Sequence, residues 1–155
     1  MFGLSQSSGY AVAALTALAS GGNRRGFVRD LAASSDVPKA YLAKIFKKLV
    51  NAGILKAKRG WAGGTRLARP ARDISLFEIA RVIDGEDWTT KCLLGLAECS
   101  DERACPAHAF WKAERARIEA KLREISLADV IRLEARRAKA VLSPQTKNTQ
   151  PSFKR

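Results

Sequence analysis

Residues 37–50 constrain the fold more than any other stretch. Val37, Leu42, Ile45, Phe46, Leu49 and Val50 recur at the three- and four-residue steps that put apolar side chains on one face of a helix. Pro38 suits the start of such a helix, where a missing N–H costs nothing, and Asn51-Ala52-Gly53 closes it. Just upstream, Phe27 to Ala33 reads as a shorter helix with Val28, Leu31 and Ala32 turned inward and Arg29 and Asp30 turned out. Ser34-Ser35-Asp36 separates the two, so the pair has the outline of a helix-turn-helix. Leu55 to Lys58 then alternates apolar and basic residues, and Thr65 to Ala68 carries Arg66 among apolar neighbours. Gly60-Trp61-Ala62-Gly63-Gly64 lies between them as a flexible tip, which makes the unit a two-stranded wing.

The flanking segments complete a mainly α fold with a small β wing. Residues 7–19, rich in Ala and Leu, form a first, largely buried helix that Ser20-Gly21-Gly22 stops. Ser75 caps a fourth helix, with Glu78 completing a capping box and Leu76, Ile79 and Ile83 forming its apolar stripe up to Asp84-Gly85. From Glu86 to Pro106 no period is sustained. Trp111, Ile118, Leu122 and Ile125 then fall on a coiled-coil-like seam with charges between them, the pattern of a long helix that packs on another helix. A shorter apolar helix follows from Ser126 through Ile131 and Leu133, and residues 143–155 have the composition of a disordered tail. With 155 residues, 46% of them hydrophobic, the chain has room for one compact domain and an appended element. The expected division is a winged helix-turn-helix domain over 1–85, a cysteine-bearing loop over 86–108, and a dimerisation helix with a following short helix over 109–142.

Charge points to a partner. The chain carries 28 Lys and Arg against 15 Asp and Glu, a net +13, and nearly all of the excess sits in one third of it. Between Asn23 and Arg72 there are 13 basic and two acidic residues, whereas the first 22 residues carry no charge at all. A patch of that kind calls for a polyanion. The third helix presents Lys39, Ala40, Tyr41, Lys44, Lys47 and Lys48 away from its apolar stripe, as a helix in a major groove requires. Lys56, Lys58, Arg59 and Arg66 arm the wing, where an Arg can enter a narrow minor groove. Double-stranded DNA bound by a homodimer is the expected partner. No apolar run approaches the ~20 residues that cross a bilayer, and the opening residues lack the basic region of a signal peptide, so a cytoplasmic protein without a membrane partner is expected. Neither enzymatic turnover nor a small-molecule substrate is expected.

Three cysteines are an odd number for a disulfide framework. Together with the single histidine they make Cys92-x6-Cys99-x5-Cys105-x2-His108, four soft or borderline donors in one unperiodic loop. Thiolates and an imidazole suit iron or zinc, and the spacing does not separate zinc from an iron–sulfur cluster. A Cys/His nucleophile is a distant third, because neither an orienting acid nor a Gly-rich oxyanion loop is evident in the sequence.

The order of these pieces resembles the IscR/NsrR/RirA-type bacterial transcription regulators, grouped as the Rrf-two family, over about residues 4–133. The resemblance lies in Gly9 to Leu15, Tyr41-Leu42-Ala43-Lys44-Ile45-Phe46 and the wing Arg59 to Leu67. It continues in Ile74 to Ile79, Cys105-Pro106-Ala107-His108-Ala109-Phe110-Trp111 and Ile125 to Asp129. It implies a homodimeric winged-helix regulator, a repressor of promoter DNA, dimerised through the long helix. It also implies an iron–sulfur cluster on Cys92, Cys99, Cys105 and His108 whose state controls DNA affinity. The histidine two residues past the last cysteine matches IscR-like members and favours a 2Fe-2S cluster, with 4Fe-4S as the alternative. Gly9 stands where NsrR-like members carry a carboxylate ligand, Ala43 replaces a glutamate found in some recognition helices, and the first cysteine gap of six departs from the more usual five or seven. The rival reading is a zinc-stabilised or thiol-switched winged-helix module that binds DNA or RNA without a cluster.

Overall fold

The computed structural model describes residues 4–21, 25–35, 37–58, 60, 63–95 and 99–142. Helix α1 (Gln6–Ser20) begins at Ser5, whose hydroxyl accepts from the Ser8 amide (3.1 Å) and so satisfies one of the orphan N–H groups of the first turn. Its buried face is Ala11, Ala14, Leu15 and Leu18, with Ser8 and Thr16. The small residues let neighbouring helices come close. Helices α2 (Val28–Ser35) and α3 (Lys39–Asn51) pack against it, and α3 inserts Leu42, Ile45, Phe46 and Leu49 into the core, the stripe its sequence periodicity predicts. Pro38 sits at the N-cap of α3 and the helix-turn-helix is formed.

Strands β1 (Leu55–Lys58) and β2 (Gly64–Leu67) pair antiparallel with Leu55 opposite Leu67 and Lys56 opposite Arg66. Leu55, Leu67 and Thr65 are buried, so one face of the wing is sealed onto the domain. The connection between α1 and α2 adds a short third rung, in which Gly26 and Thr65 exchange both backbone hydrogen bonds (2.9 and 2.8 Å). A Cβ at position 26 would lie 2.8 Å from the Leu18 Cδ1 atom, so any larger residue there requires the Leu18 side chain to shift.

Helix α4 (Leu76–Asp84) is capped by Ser75, which accepts from the Glu78 amide, and ends at Gly85 with φ of 97°. The stretch expected to be irregular contains two single turns of helix, Glu86–Thr89 and Asp101–Arg103. Helix α5 (His108–Glu124) buries only His108, and α4 meets it through Phe77, over whose ring the Arg123 guanidinium lies at 3.6 Å. Ile125, expected on the seam by sequence spacing, is the extended C-cap of α5 (φ −81°, ψ 118°).

Helix α6 (Leu127–Leu142) differs most from its expected form. It is 16 residues long, nearly the length of α5, because the Arg-, Lys- and Ala-rich stretch past Leu133 keeps high helix propensity although it buries little. Ser126 and Asp129 cap it reciprocally, and the Ser126 hydroxyl and amide hold the Asp129 carboxyl below the usual carboxylate range. Its first residue belongs to the winged-domain core: Leu127 is fully buried, its amide donates to the Ile74 carbonyl (2.8 Å), and the Leu76 amide donates to Ile125 (2.9 Å). No helix among the described residues is long and apolar enough to cross a membrane. The tail 143–155 lies outside the described residues. Leu127→Ala is expected to cost about 2–5 kcal/mol, read as a lower midpoint in urea unfolding of the whole chain. An unchanged midpoint would mean that α6 folds independently of the winged domain.

Candidate functional site

Because Leu42, Ile45, Phe46 and Leu49 consume one face of α3, the other face reaches solvent: Lys39, Ala40, Tyr41, Lys44, Lys47 and Lys48 are all exposed. No acidic residue lies on α3, β1 or β2. On the outer face of the wing, exposed Lys56 and Arg66 stand directly opposite one another, a like-charge pair that destabilises a hairpin unless an anion comes between or beside them. Lys58 is exposed next along β1. Arg59, the wing-tip arginine singled out in the sequence, lies outside the described residues. The exposed cations on α3 and the wing make a surface suited to a phosphate backbone.

Two of these residues also have partners inside the chain. The Lys48 ammonium donates to the Ile83 carbonyl oxygen (2.7 Å), which ties α3 to the end of α4. The Tyr41 hydroxyl bonds the Ser7 hydroxyl, and its ring meets Tyr10 edge-on at 6.0 Å. Tyr41 thus joins α3 to the first turns of α1. The same turns are held from the other side by Asp84, which accepts from Ser5 and from Ser8 (2.9 Å). Sequence reasoning did not find this serine–aspartate clamp, since its partners are 76 and 79 residues apart and carry no local pattern.

Cys92, Cys99 and Cys105 are free thiols, each partly buried, and His108 is 7% exposed at the first turn of α5. Cys99 and His108 meet, with Sγ 3.3 Å from Nδ1. Nε2 of the ring lies 2.8 Å from Asp101 Oδ1, and the Lys112 ammonium donates to both oxygens of Asp101 (2.8 and 2.7 Å). Lys112 first, then His108, hold the Asp101 carboxyl below the usual carboxylate range. Asp101 and Lys112 are functional candidates that the sequence did not mark; the legible signal was an acid in the cysteine loop and a cation one turn past the histidine. Cys105 contributes its carbonyl to the His108 amide (2.9 Å), while Cys92 lines a groove of about 560 Å³. Among the described residues no three His, Cys, Asp or Glu side chains are grouped to hold a metal ion.

The donor pair nevertheless fits a metal. Bonds of ~2.3 Å to sulfur and ~2.0–2.1 Å to nitrogen at a tetrahedral angle hold the two donors ~3.6 Å apart, close to the separation of Cys99 and His108. Cys92 and Cys105 are free thiols in the same segment, and neither is grouped with this pair among the described residues. The groove beside Cys92 is walled by Trp111, Ile118 and Leu122, so these three predicted seam residues face Leu4 and Trp88 of the same chain, with the Trp111 indole N–H donated to the Lys91 carbonyl (2.8 Å).

The family profile of Rrf2, described as an iron-dependent transcriptional regulator, matches residues 4–133. This chain belongs to the Rrf2 family. It is 31% identical over 103 residues to the HTH-type transcriptional regulator IscR of Vibrio atlanticus, an alignment covering 66% of this chain and 59% of that protein. The chain thus spans about three fifths of that relative's length. Among solved structures it is similar to T. potens IscR (27% identity, TM-score 0.69, 93% of each chain). It is also similar to the oxidized form of Staphylococcus aureus CymR (25% identity, TM-score 0.66, 84% of this chain and 96% of that one). These structures share its mostly helical architecture with a two-stranded wing.

The surface assignment has a direct check. Lys47→Ala and Arg66→Ala are each expected to weaken DNA binding on all sequences alike and to lower the slope of log affinity against log salt by about one unit. Lys48→Met removes the bond to Ile83 and is expected to lower the unfolding midpoint as well. Parent-like slopes for Lys47→Ala and Arg66→Ala would place the nucleic-acid surface elsewhere.

Proposed function

We propose that this Rrf2-family chain is a homodimeric regulator, a repressor, that binds promoter DNA through α3 and the wing under the control of an iron–sulfur cluster on Cys92, Cys99, Cys105 and His108. A 2Fe-2S cluster is the form favoured and 4Fe-4S the alternative. The observation that carries the reading is the contact of Cys99 with His108 in a segment holding two more free thiols, in a chain whose relatives include proteins named IscR. Bound there, a cluster supplies a redox couple and a centre that oxidants or nitric oxide attack.

The remaining work falls to the chain. In this reading Tyr41 and Lys44 meet base edges, Arg59 reads a narrow minor groove or touches the backbone, Lys47, Lys48, Lys58 and Arg66 neutralise phosphates, and Lys39 and Ala40 belong to the same DNA-facing side of α3. Two such surfaces related by a dimer axis must match half-sites ~34–36 Å apart. Any shift of one recognition helix against the other therefore changes affinity. A physical route for that shift is present: the cysteine segment follows Asp84, Asp84 holds Ser5 and Ser8, and Ser7 holds Tyr41. Rearranging the segment pulls on the start of α1 and, through it, on α3. For the dimer, the apolar wall of Trp111, Ile118 and Leu122 on α5 is the proposed seam, with Ile125 at its end.

A second reading is favoured by the Cys99–His108–Asp101 chain of contacts, which is the arrangement of an activated thiol, and by the similarity to a CymR structure in an oxidized form. In that reading the chain responds through cysteine oxidation, or is held by zinc, without a cluster.

Anaerobic reconstitution with iron and sulfide, followed by absorbance and metal analysis, distinguishes the two. The cluster reading expects a visible chromophore that Cys92→Ala, Cys99→Ala and Cys105→Ala each abolish and His108→Ala weakens or shifts, with promoter affinity changing between loaded and stripped protein. A colourless protein whose promoter affinity follows thiol oxidation would instead support the thiol switch. Leu122→Asp is expected to convert dimer to monomer in sedimentation analysis, and a dimer of unchanged dissociation constant would move the interface off α5.

A further inference from the structure

We propose that Asp101 is the positioning residue for His108: it holds the imidazole so that Nδ1, and not Nε2, is the atom presented to the metal, and Lys112 holds Asp101 in place. This rests on the cluster reading above and adds to it a choice between two ring atoms. A neutral imidazole carries a proton on one nitrogen and a lone pair on the other. Nε2 faces Asp101 Oδ1 at 2.8 Å, and an ionised carboxylate can only accept, so the proton belongs on Nε2. The lone pair is then left on Nδ1, which faces the Cys99 sulfur at 3.3 Å.

The ring has little freedom to turn. His108 is 7% exposed, and its amide is bonded to the Cys105 carbonyl (2.9 Å), so the backbone carrying the ring is tied to a second cysteine. The carboxylate is anchored as well. Lys112 lies one turn after His108 on α5 and spans both oxygens of Asp101, so the acid is fastened to the helix that bears the imidazole. A carboxylate accepting from the remote N–H of a metal-bound imidazole sets the tautomer, orients the ring and makes it a stronger electron donor. A stronger donor favours oxidised over reduced iron, and loss of Asp101 therefore raises the reduction potential.

His108 is the only histidine in the chain, so isotopic labelling of histidine reports on one ring. The full chain is prepared with heavy nitrogen at Nδ1 alone or at Nε2 alone, reconstituted anaerobically with iron and sulfide, reduced, and examined by electron–nuclear double resonance. The large coupling is expected from Nδ1. Asp101→Ala is expected to weaken iron retention against a chelator by about 10–100-fold and to raise the potential. Asp101→Glu should restore both in part, and Asp101→Asn, which keeps an acceptor oxygen without the charge, should fall between. A large coupling from Nε2, or an Asp101→Ala protein with parent-like potential and iron retention, overturns the proposal and leaves the cluster reading standing; no histidine coupling on an intact cluster overturns the proposal and removes His108 from the ligand set, leaving a cluster held by the cysteines. A parent chain that takes up no iron and sulfide overturns the cluster reading and this proposal with it.

Discussion

The two backbone hydrogen bonds between Ile74–Leu76 and Ile125–Leu127 hold the molecule's parts in one frame. They join the segment entering α4 to the segment linking α5 and α6, and they do so beside Leu127, which is sealed into the core of the winged domain. A long, charged helix with a single buried residue has little reason to adopt a defined direction by itself. Pinned at its C-terminal end by this junction and braced by Arg123 on Phe77, α5 acquires one. The start of α5, where His108 stands, thus belongs to the same frame as the winged domain.

Helix α1 is the second element on which function depends. Its buried face is built of alanines and leucines and packs against α2, α3, α4 and α6. Its first turns carry three serines with separate tasks: Ser5 and Ser8 take Asp84, and Ser7 takes Tyr41. Short hydroxyl side chains suit such a place because they bond at close range and lose little conformational freedom. The helix is therefore in contact at one end with both the exit of α4 towards the cysteines and the face proposed to read DNA.

Most of the helical architecture was legible because its signals are local. The stripe of Leu42, Ile45, Phe46 and Leu49, the Ser75–Glu78 cap and the alternation around Arg66 each span a few residues, and each became the element expected. Three features did not follow from local pattern. Ile125 fits the seam by spacing but is the extended C-cap of α5, and its carbonyl accepts from the Leu76 amide. Helix α6 continues beyond Leu133 on propensity where no apolar stripe announces it. The orienting acid for His108 looked absent in the sequence and is Asp101, seven residues upstream, brought over by the turn Asp101–Arg103.

By itself, the sequence determined which helices form, where the wing turns and on which face the cations of α3 collect, since periodicity, capping and charge act over three to five residues. It also determined the donor types available near Cys92 to His108. The tertiary structure alone decided that Leu127 belongs to the winged-domain core, that Asp84 clamps α1, that Lys48 bonds a carbonyl of α4, and that Cys99 rather than Cys92 or Cys105 stands against the imidazole. Those contacts join residues far apart in the chain or set side by side by an irregular segment. Their free energy comes from burial and hydrogen bonding that exist only once the whole domain has closed.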